Sequence, residues 1–472
     1  MLKKRLDSVA GAEIGKGSSR SWMAPDRGLL SSLVVIVLLP AALAAQLAST
    51  TTTTSPLPTV YGSGYQLPLE FEGERTPVNE VSVSAGVSTF YDDNVLGTNA
   101  DRLIDEAASF DARLGIHRRT KRLTFSLDYV PFFTLYRQIS QYDRTNQTAN
   151  LNLSYRLSAR TLIGLNETFG YQNGIYPALA SGPTLSGLPS PIGLNGIIVP
   201  YTIRTLTDVS GVYLTFMKSR STSLTFTGGY SQSKYGPGKQ QNIGLLLYNG
   251  QGFSGGMTLQ HYISAHTTLG ILALHQDTTY QGGLVFGSHQ RTQVESLYFS
   301  GGSALSPSLT VSLFGGPQYV RTLGLVSTVD TLSGHFQFSG GGSVTKQVRK
   351  TALNLAITRS VTDGGGLYTS VVNDRAIFSA RRRLIGTWEG DLHVGAARED
   401  TSLFQFVNGK IDGVIAGVTV NRKLLTQGLV FHVSYDTMHQ LSKGPLPLVA
   451  NFDRNQVSAG FDYQLKSLNL GR

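Results

Sequence analysis

The stretch Leu123-Thr124-Phe125-Ser126-Leu127-Asp128-Tyr129 alternates apolar and polar side chains without a break. Successive side chains of a β-strand point to opposite faces, so this segment has one apolar face and one polar face. Helical spacing would scatter the same residues around an axis. Ala149, Leu151, Leu153, Tyr155 and Leu157 repeat the pattern against Asn150, Asn152, Ser154 and Arg156. It returns at Leu309, Val311 and Leu313, at Leu353, Leu355 and Ile357, at Leu429, Phe431, Val433 and Tyr435, and at Val457, Ala459, Phe461, Tyr463 and Leu465.

Short polar turns punctuate these segments at 117–122, 157–161, 217–222, 262–267, 304–309, 346–351, 382–387 and 421–427. Longer Gly- and Pro-rich connections, such as 173–203, 236–250 and 363–370, fall between them. Each turn joins two strands. One further strand at either end, 81–90 and 453–465, brings the expected number to eighteen. Alternation is weak at 204–217, 267–280, 371–382 and 410–422, which makes sixteen the alternative number. Short turns on one side and long loops on the other are the asymmetry of a transmembrane up-and-down antiparallel β-barrel. An even strand number returns both ends of the sheet to the turn side.

Composition agrees. The 472 residues include 53 Gly, 21 Tyr and 21 Phe, with 15% charged. Mean hydropathy is near zero, too polar for a helical membrane bundle. Only Leu29–Leu43 approaches a membrane helix. Backbone groups in a bilayer must be satisfied within the protein, so a strand-rich chain there must close its sheet. A soluble propeller also repeats about every 40 residues but packs four short strands into each repeat, whereas two long ones fit here. The absence of Cys excludes disulfides, thiolate metal sites and a cysteine nucleophile. The formal charge of +10 sits largely in turn-like clusters such as Arg118–Arg122 and Arg381–Arg383, which argues against nucleic acid as a partner.

Carried through every strand, the alternation places Asp111, Arg113, Asp128, Arg156, Asp208, Glu389, Asp391, His393, His432, Asp436 and Asp462 on the lumen side. Glu389, Asp391, Asp436 and Asp462 would then put negative potential on one wall and favour cations, unless Arg residues pair with them. Aromatic residues near strand ends, among them Phe90, Tyr91, Tyr129, Phe132, Phe133, Tyr136, Tyr155, Tyr171, Tyr230, Tyr235, Tyr319, Trp388 and Tyr435, are expected in girdles on the outer face. His432, Ser434 and Asp436 share one strand face, but successive members lie ~7 Å apart, too far for a catalytic triad. Counted from Asp92, the twelfth position is Leu103, so Asp92-Asp93-Asn94 is a turn signal and not an EF-hand loop. Gly340–Gly342 and Gly364–Gly366 lack the Lys-Ser/Thr of a phosphate loop. No catalytic residue, cofactor or metal ligand is assigned.

The opening strand from Val81, ending in Tyr91-Asp92-Asp93-Asn94-Val95, resembles the start of the beta-barrel porin 2 family of bacterial outer-membrane barrels. The resemblance implies an outer-membrane barrel of a Gram-negative cell, in some cases tied to capsule or exopolysaccharide systems. The chain departs from the usual barrel end, since Gln464–Arg472 follow Tyr463 where a terminal aromatic would close the strand. The implied surroundings are outer-membrane lipid, lipopolysaccharide and the barrel-assembly machinery. The expected activity is passive passage of small solutes, with polysaccharide export or surface attachment as the alternative.

The organisation read from the sequence is an export signal at 1–44, a flexible periplasmic segment at 45–80, the barrel at 81–465 and a tail at 466–472. Lys3, Lys4, Arg5, Lys16, Arg20 and Arg27 precede the apolar run Leu29–Leu39, and Ala42-Leu43-Ala44 supplies a small-residue cleavage site. Met23 offers a second start, with Arg27 retained. Terminal sequencing of membrane-fraction protein should therefore read from Ala45; an intact Met1 or Met23 would refute the assignment.

Overall fold

The computed structural model describes residues 78–100, 102–176, 199–237, 247–282, 289–326, 329–362, 371–400, 409–424, 428–443 and 451–469. The expected export signal, nearly all of the 45–80 segment, and most of the long connections lie outside these residues. The strands are β1 (Val78–Asp92), β2 (Asp105–Arg119), β3 (Leu123–Tyr136), β4 (Arg144–Ser158), β5 (Thr161–Tyr176) and β6 (Val199–Met217). They continue with β7 (Thr222–Pro237), β8 (Tyr248–Tyr262), β9 (Thr267–Gly282), β10 (His289–Ser306), β11 (Leu309–Val326) and β12 (Val329–Val348). The sheet ends with β13 (Thr351–Thr362), β14 (Val371–Arg383), β15 (Trp388–Asp400), β16 (Lys410–Lys423), β17 (Leu429–Lys443), β18 (Phe452–Gln464) and the two-residue β19 (Leu468–Asn469). Each strand pairs antiparallel with its sequence neighbours, and β18 pairs with β1, so the sheet closes. All four weakly alternating segments are strands, which makes eighteen long strands the observed number.

Directly paired residues share a face, which turns the register into an inside and an outside. Val87 pairs with Phe110, and Phe110 with Phe133. Leu127 lies opposite Leu151, and Phe125 opposite Leu153. These side chains belong to the outer row, where large apolar groups stay exposed, up to 81% for Phe336. Asp128 lies opposite Gly115, and Asn152 opposite Ser126, in the inner row. Among the described connections, those on one end are short, as at 159–160, 307–308 and 349–350. Arg349 takes a positive φ of 51° in one of them, and Gly386 and Gly428 do so in two other connections at this end.

The aromatic expectation needs correction at four positions. Phe90, Phe132, Tyr136 and Tyr235 sit in inward rows, paired with Ala107, Asp111, Ala107 and Thr205. Alternation along their own strands, not position near a strand end, sets the face.

The seam between β1 and β18 runs from Ser84 opposite Gln464 to Asp92 opposite Gln456. Beyond it, Leu465 N donates to Val83 O at 2.9 Å, and β19 continues along β1 by pairing Leu468 with Val81. The first loop clasps this seam. Arg454 Nε donates to both Asp92 oxygens at 3.0 and 3.1 Å, and both side chains are fully buried. Asp93 accepts from Asn455 N at 2.6 Å and Asn455 Nδ2 at 2.7 Å. Asn94 Nδ2 donates to Asp453 O at 2.8 Å. Val95 then enters an apolar cluster with Phe90, Ala107, Tyr136, Met438 and Phe452. The Asp/Asn turn is therefore a structural clasp between the first and last strands.

Removing one partner of a buried ion pair costs ~3–5 kcal/mol because it strands the other charge. Arg454→Met should lower the temperature at which the folded gel band is lost, and Asp92→Leu/Arg454→Met should recover part of the loss. Unchanged heat-modifiable mobility in the single variant would show that the clasp is dispensable.

Candidate functional site

The inner wall divides into two arcs. One comprises β14 to β18 and β1 to β4, and it holds every sequence-predicted lumen residue except Asp208. Most of its charges are paired, but Asp111 stands beside the Asp462 carboxylate across Gly86, Arg144 lies buried over the Tyr136 ring, and Arg156 has no ionic partner among the described residues. Arg113 donates from Nε and Nη2 to Asp128 Oδ1 at 3.0 and 2.8 Å. His117 Nε2 stands 3.9 Å from the same oxygen. Arg381 Nε donates to Asp391 Oδ1 at 2.5 Å and lies 3.4 Å from Glu389 Oε1. Asn421 Nδ2 holds the other Asp391 oxygen at 3.0 Å. His393 Nε2 is 3.1 Å from Asp436 Oδ1, and His432 Nδ1 is 2.9 Å from Asp462 Oδ2. Arg156 shares the inward row of β4 and is exposed. The four carboxylates expected on one wall are brought together, but each faces an arginine or an imidazole.

Glycines in the paired rows make room for these contacts. A Cβ on Gly417 would lie 2.0 Å from Asp436 Oδ1 and 2.4 Å from His393 Cε1. One on Gly86 would lie 2.4 Å from Asp111 Oδ1 and 2.7 Å from Asp462 Oδ1. Gly460, opposite His432, leaves space for its Nε2 in the same way. Neither alternation nor composition identifies such glycines; the signal is a Gly at an inward position whose cross-strand neighbours are charged.

His432, Ser434 and Asp436 do not form a relay. Ser434 Oγ contacts Ser458 Oγ at 2.6 Å, while His432 is engaged by Asp462 and Asp436 by His393. Asp208 is a correction. It lies opposite Phe169 on β5 and Gln232 on β7, in the outer row, where its side chain bonds Glu167. The inward residues of β6 are instead the odd-numbered ones, such as buried Thr205, Tyr213 and Thr215.

The second arc, β5 to β13, is uncharged. Every described Asp, Glu, Lys and Arg side chain of these nine strands occupies an outer register position. Glu167 lies opposite Leu151, Lys234 opposite Leu206, Asp277 opposite Phe253 and Arg359 opposite Gly340. What faces inward is hydroxyl, amide and glycine, with tyrosine and aliphatic groups and one imidazole, His335 opposite Val320. Thr278, Thr292 and Thr322 form one cross-strand row. Gln318 Oε1 accepts from Gln337 Nε2 at 2.9 Å and Ser339 Oγ at 2.5 Å, and its Nε2 donates to Ser296 Oγ at 3.2 Å. Gln260 Oε1, Thr292 Oγ1 and Thr322 Oγ1 are buried with no partner among the described residues.

Overpacking a filled site costs ~1–3 kcal/mol. Gly417→Ala should therefore lower the thermal midpoint of the folded barrel by separating His393 from Asp436. Gly255→Ala, where an added Cβ meets nothing within 4 Å, should not. Equal midpoints for the two variants would remove the case for a built ion pair.

No family model matches the chain, and no curated protein does, so the resemblance of the opening strand rests on its own residues. Solved structures share its architecture at low identity. The OccK2 (OpdF) protein of Pseudomonas aeruginosa, solved in complex with glucuronate, is 11% identical, with a TM-score of 0.42 over 82% of this chain and 98% of that one. OpdK of the same organism, solved with vanillate, is 11% identical, with a TM-score of 0.40 over 82% and 99%. The ferric-catecholate import receptor Fiu of E. coli K12 is 8% identical, with a TM-score of 0.45 over 83% and 82%.

Proposed function

We propose that this chain spans the outer membrane as a transport barrel and passes small solutes through its lumen. The observation that carries the reading is the division of one closed sheet into an apolar outside and a polar inside. The apolar outer belt carries most of its charge at its two ends; the carboxyl pair of Glu167 and Asp208, on β5 and β6, is an exception within it. On the turn side, the Arg422 guanidinium lies 5.0 Å over the Trp388 ring. On the loop side, Arg398 Nε reaches Asp412 Oδ1 at 2.7 Å, and Arg137 Nη1 reaches Glu106 Oε2 at 2.9 Å. Arginine or lysine at mid-depth on the lipid face would cost ~2–4 kcal/mol, and the outward Arg359 is paired with Asp374 at 3.4 Å. Barrels of 16–18 strands generally enclose an aqueous channel. Among the described residues no helix is long and apolar enough to cross a membrane. The Tyr91–Val95 resemblance supports the same placement. Export of a polymer is the second reading, favoured by the uncharged arc, which a hydroxylated chain can follow along the barrel.

Purified protein in planar bilayers should give stable unitary conductance; a silent, correctly folded barrel would defeat the passive-channel reading. With cysteines introduced singly, Asp128→Cys and Asn152→Cys should react with a water-soluble thiol reagent, and Leu127→Cys and Leu153→Cys should be protected by lipid. Leu127→Arg should impair insertion. Because Arg381 partners Glu389 and Asp391, Arg381→Gln should move the reversal potential across a salt gradient toward cation preference. No movement would mean that the arc does not face the permeating ion.

A further inference from the structure

We infer that the uncharged arc of β5 to β13 selects neutral, hydroxyl-rich solutes of sugar-like chemistry. The inference rests on the channel reading and names its substrate class. Among the described residues, half of the wall offers no Asp, Glu, Lys or Arg, and the other half has most of its charges committed to one another, Arg156 on β4 being exposed and unpaired. A carboxylate or ammonium solute that follows the β5 to β13 arc loses hydration without gaining a counter-charge from it. A sugar hydroxyl is both donor and acceptor, and so are the groups of this arc: Ser and Thr hydroxyls and the amides of Asn and Gln. They exchange hydrogen bonds with such a solute at little net cost.

Two features mark the arc as more than a surface that happens to lack charge. The first is exclusion by face. These strands carry charged residues, yet the register sends all the described ones outward, including Asp277 and Arg291, which pair with each other on the outer face. The second is the unused bonding capacity of Gln260 Oε1, Thr292 Oγ1 and Thr322 Oγ1, which are buried without partners among the described residues. Thr292 and Thr322 lie directly opposite each other, so both acceptors fall in one row.

The test uses the full chain in proteoliposomes. Glucose, glucuronate and glucosamine are close in size and differ in charge. Uptake of labelled glucose should be severalfold faster than that of either charged analogue. Thr227→Asp and Thr258→Asp, each placing a carboxylate on the inward row of β7 or β8, should slow glucose relative to glucosamine. Gln251→Asp on the outer face of β8 should not. Charged analogues that equal or outrun glucose through a salt-conducting channel would overturn the inference and leave the channel standing. Absence of both salt conductance and solute uptake would overturn the channel and the inference together. Neutral oligosaccharides of increasing length separate the two sources of this chemistry. Current blocks that lengthen with chain length support an exported polymer, and length-independent blocks support a free solute; either supports the neutral arc.

Discussion

The contact between β1 and β18 is the constraint on which everything else depends. Until those strands pair, the sheet has two unsatisfied edges, with no inside and no outside. Seventeen hairpin-type pairings follow from sequence adjacency, but this one joins residues more than 360 positions apart, as Asp92 and Arg454 show. It is also the only seam reinforced by a buried ion pair, two Asn side chains and an apolar plug at Val95 among the described residues. A local turn cannot set the register there. Specific side-chain contacts do so, because a slip of one residue would exchange the two faces of the terminal strand.

Most of the architecture was legible because the alternation was read against turns of known spacing. The segments 123–129 and 149–157 fix their faces without ambiguity, and the eight turns point to eighteen strands, with sixteen left open by the weak alternation of four segments. Asp208 shows where that reading stops. In Leu206-Thr207-Asp208-Val209-Ser210, each face holds both apolar and polar residues, so the local pattern has no preferred sign. Register with Phe169 decides it, and register is a property of the neighbouring strand. Phe90, Tyr136 and Tyr235 mislead for a related reason: a girdle and a lumen-side cluster near the rim use the same residue types at the same height.

The candidate site was half legible. Eight of the charged positions that face the lumen, among them Asp128, Asp391 and Asp462, belong to strands with unmistakable alternation or follow from it. Their pairing was not legible, because Arg381 meets Asp391 and His393 meets Asp436 only across adjacent strands, with Gly417 giving way between the last two. The neutral arc was missed altogether. A list of charged residues draws attention to where charge is, whereas this surface is defined by nine strands that keep it away.

The seam also fixes an order of events. β18 is made after the other seventeen long strands, so closure cannot begin while the chain is being extended. A partly built sheet carries one exposed edge at β1 and another at the newest strand, each able to pair with a foreign strand. Long-range pairing of this kind is slow, since the entropy of bringing distant segments together is lost before any contact repays it. The clasp around Arg454 is therefore a late checkpoint: its parts come from both ends of the barrel, and it is complete only when the ring is.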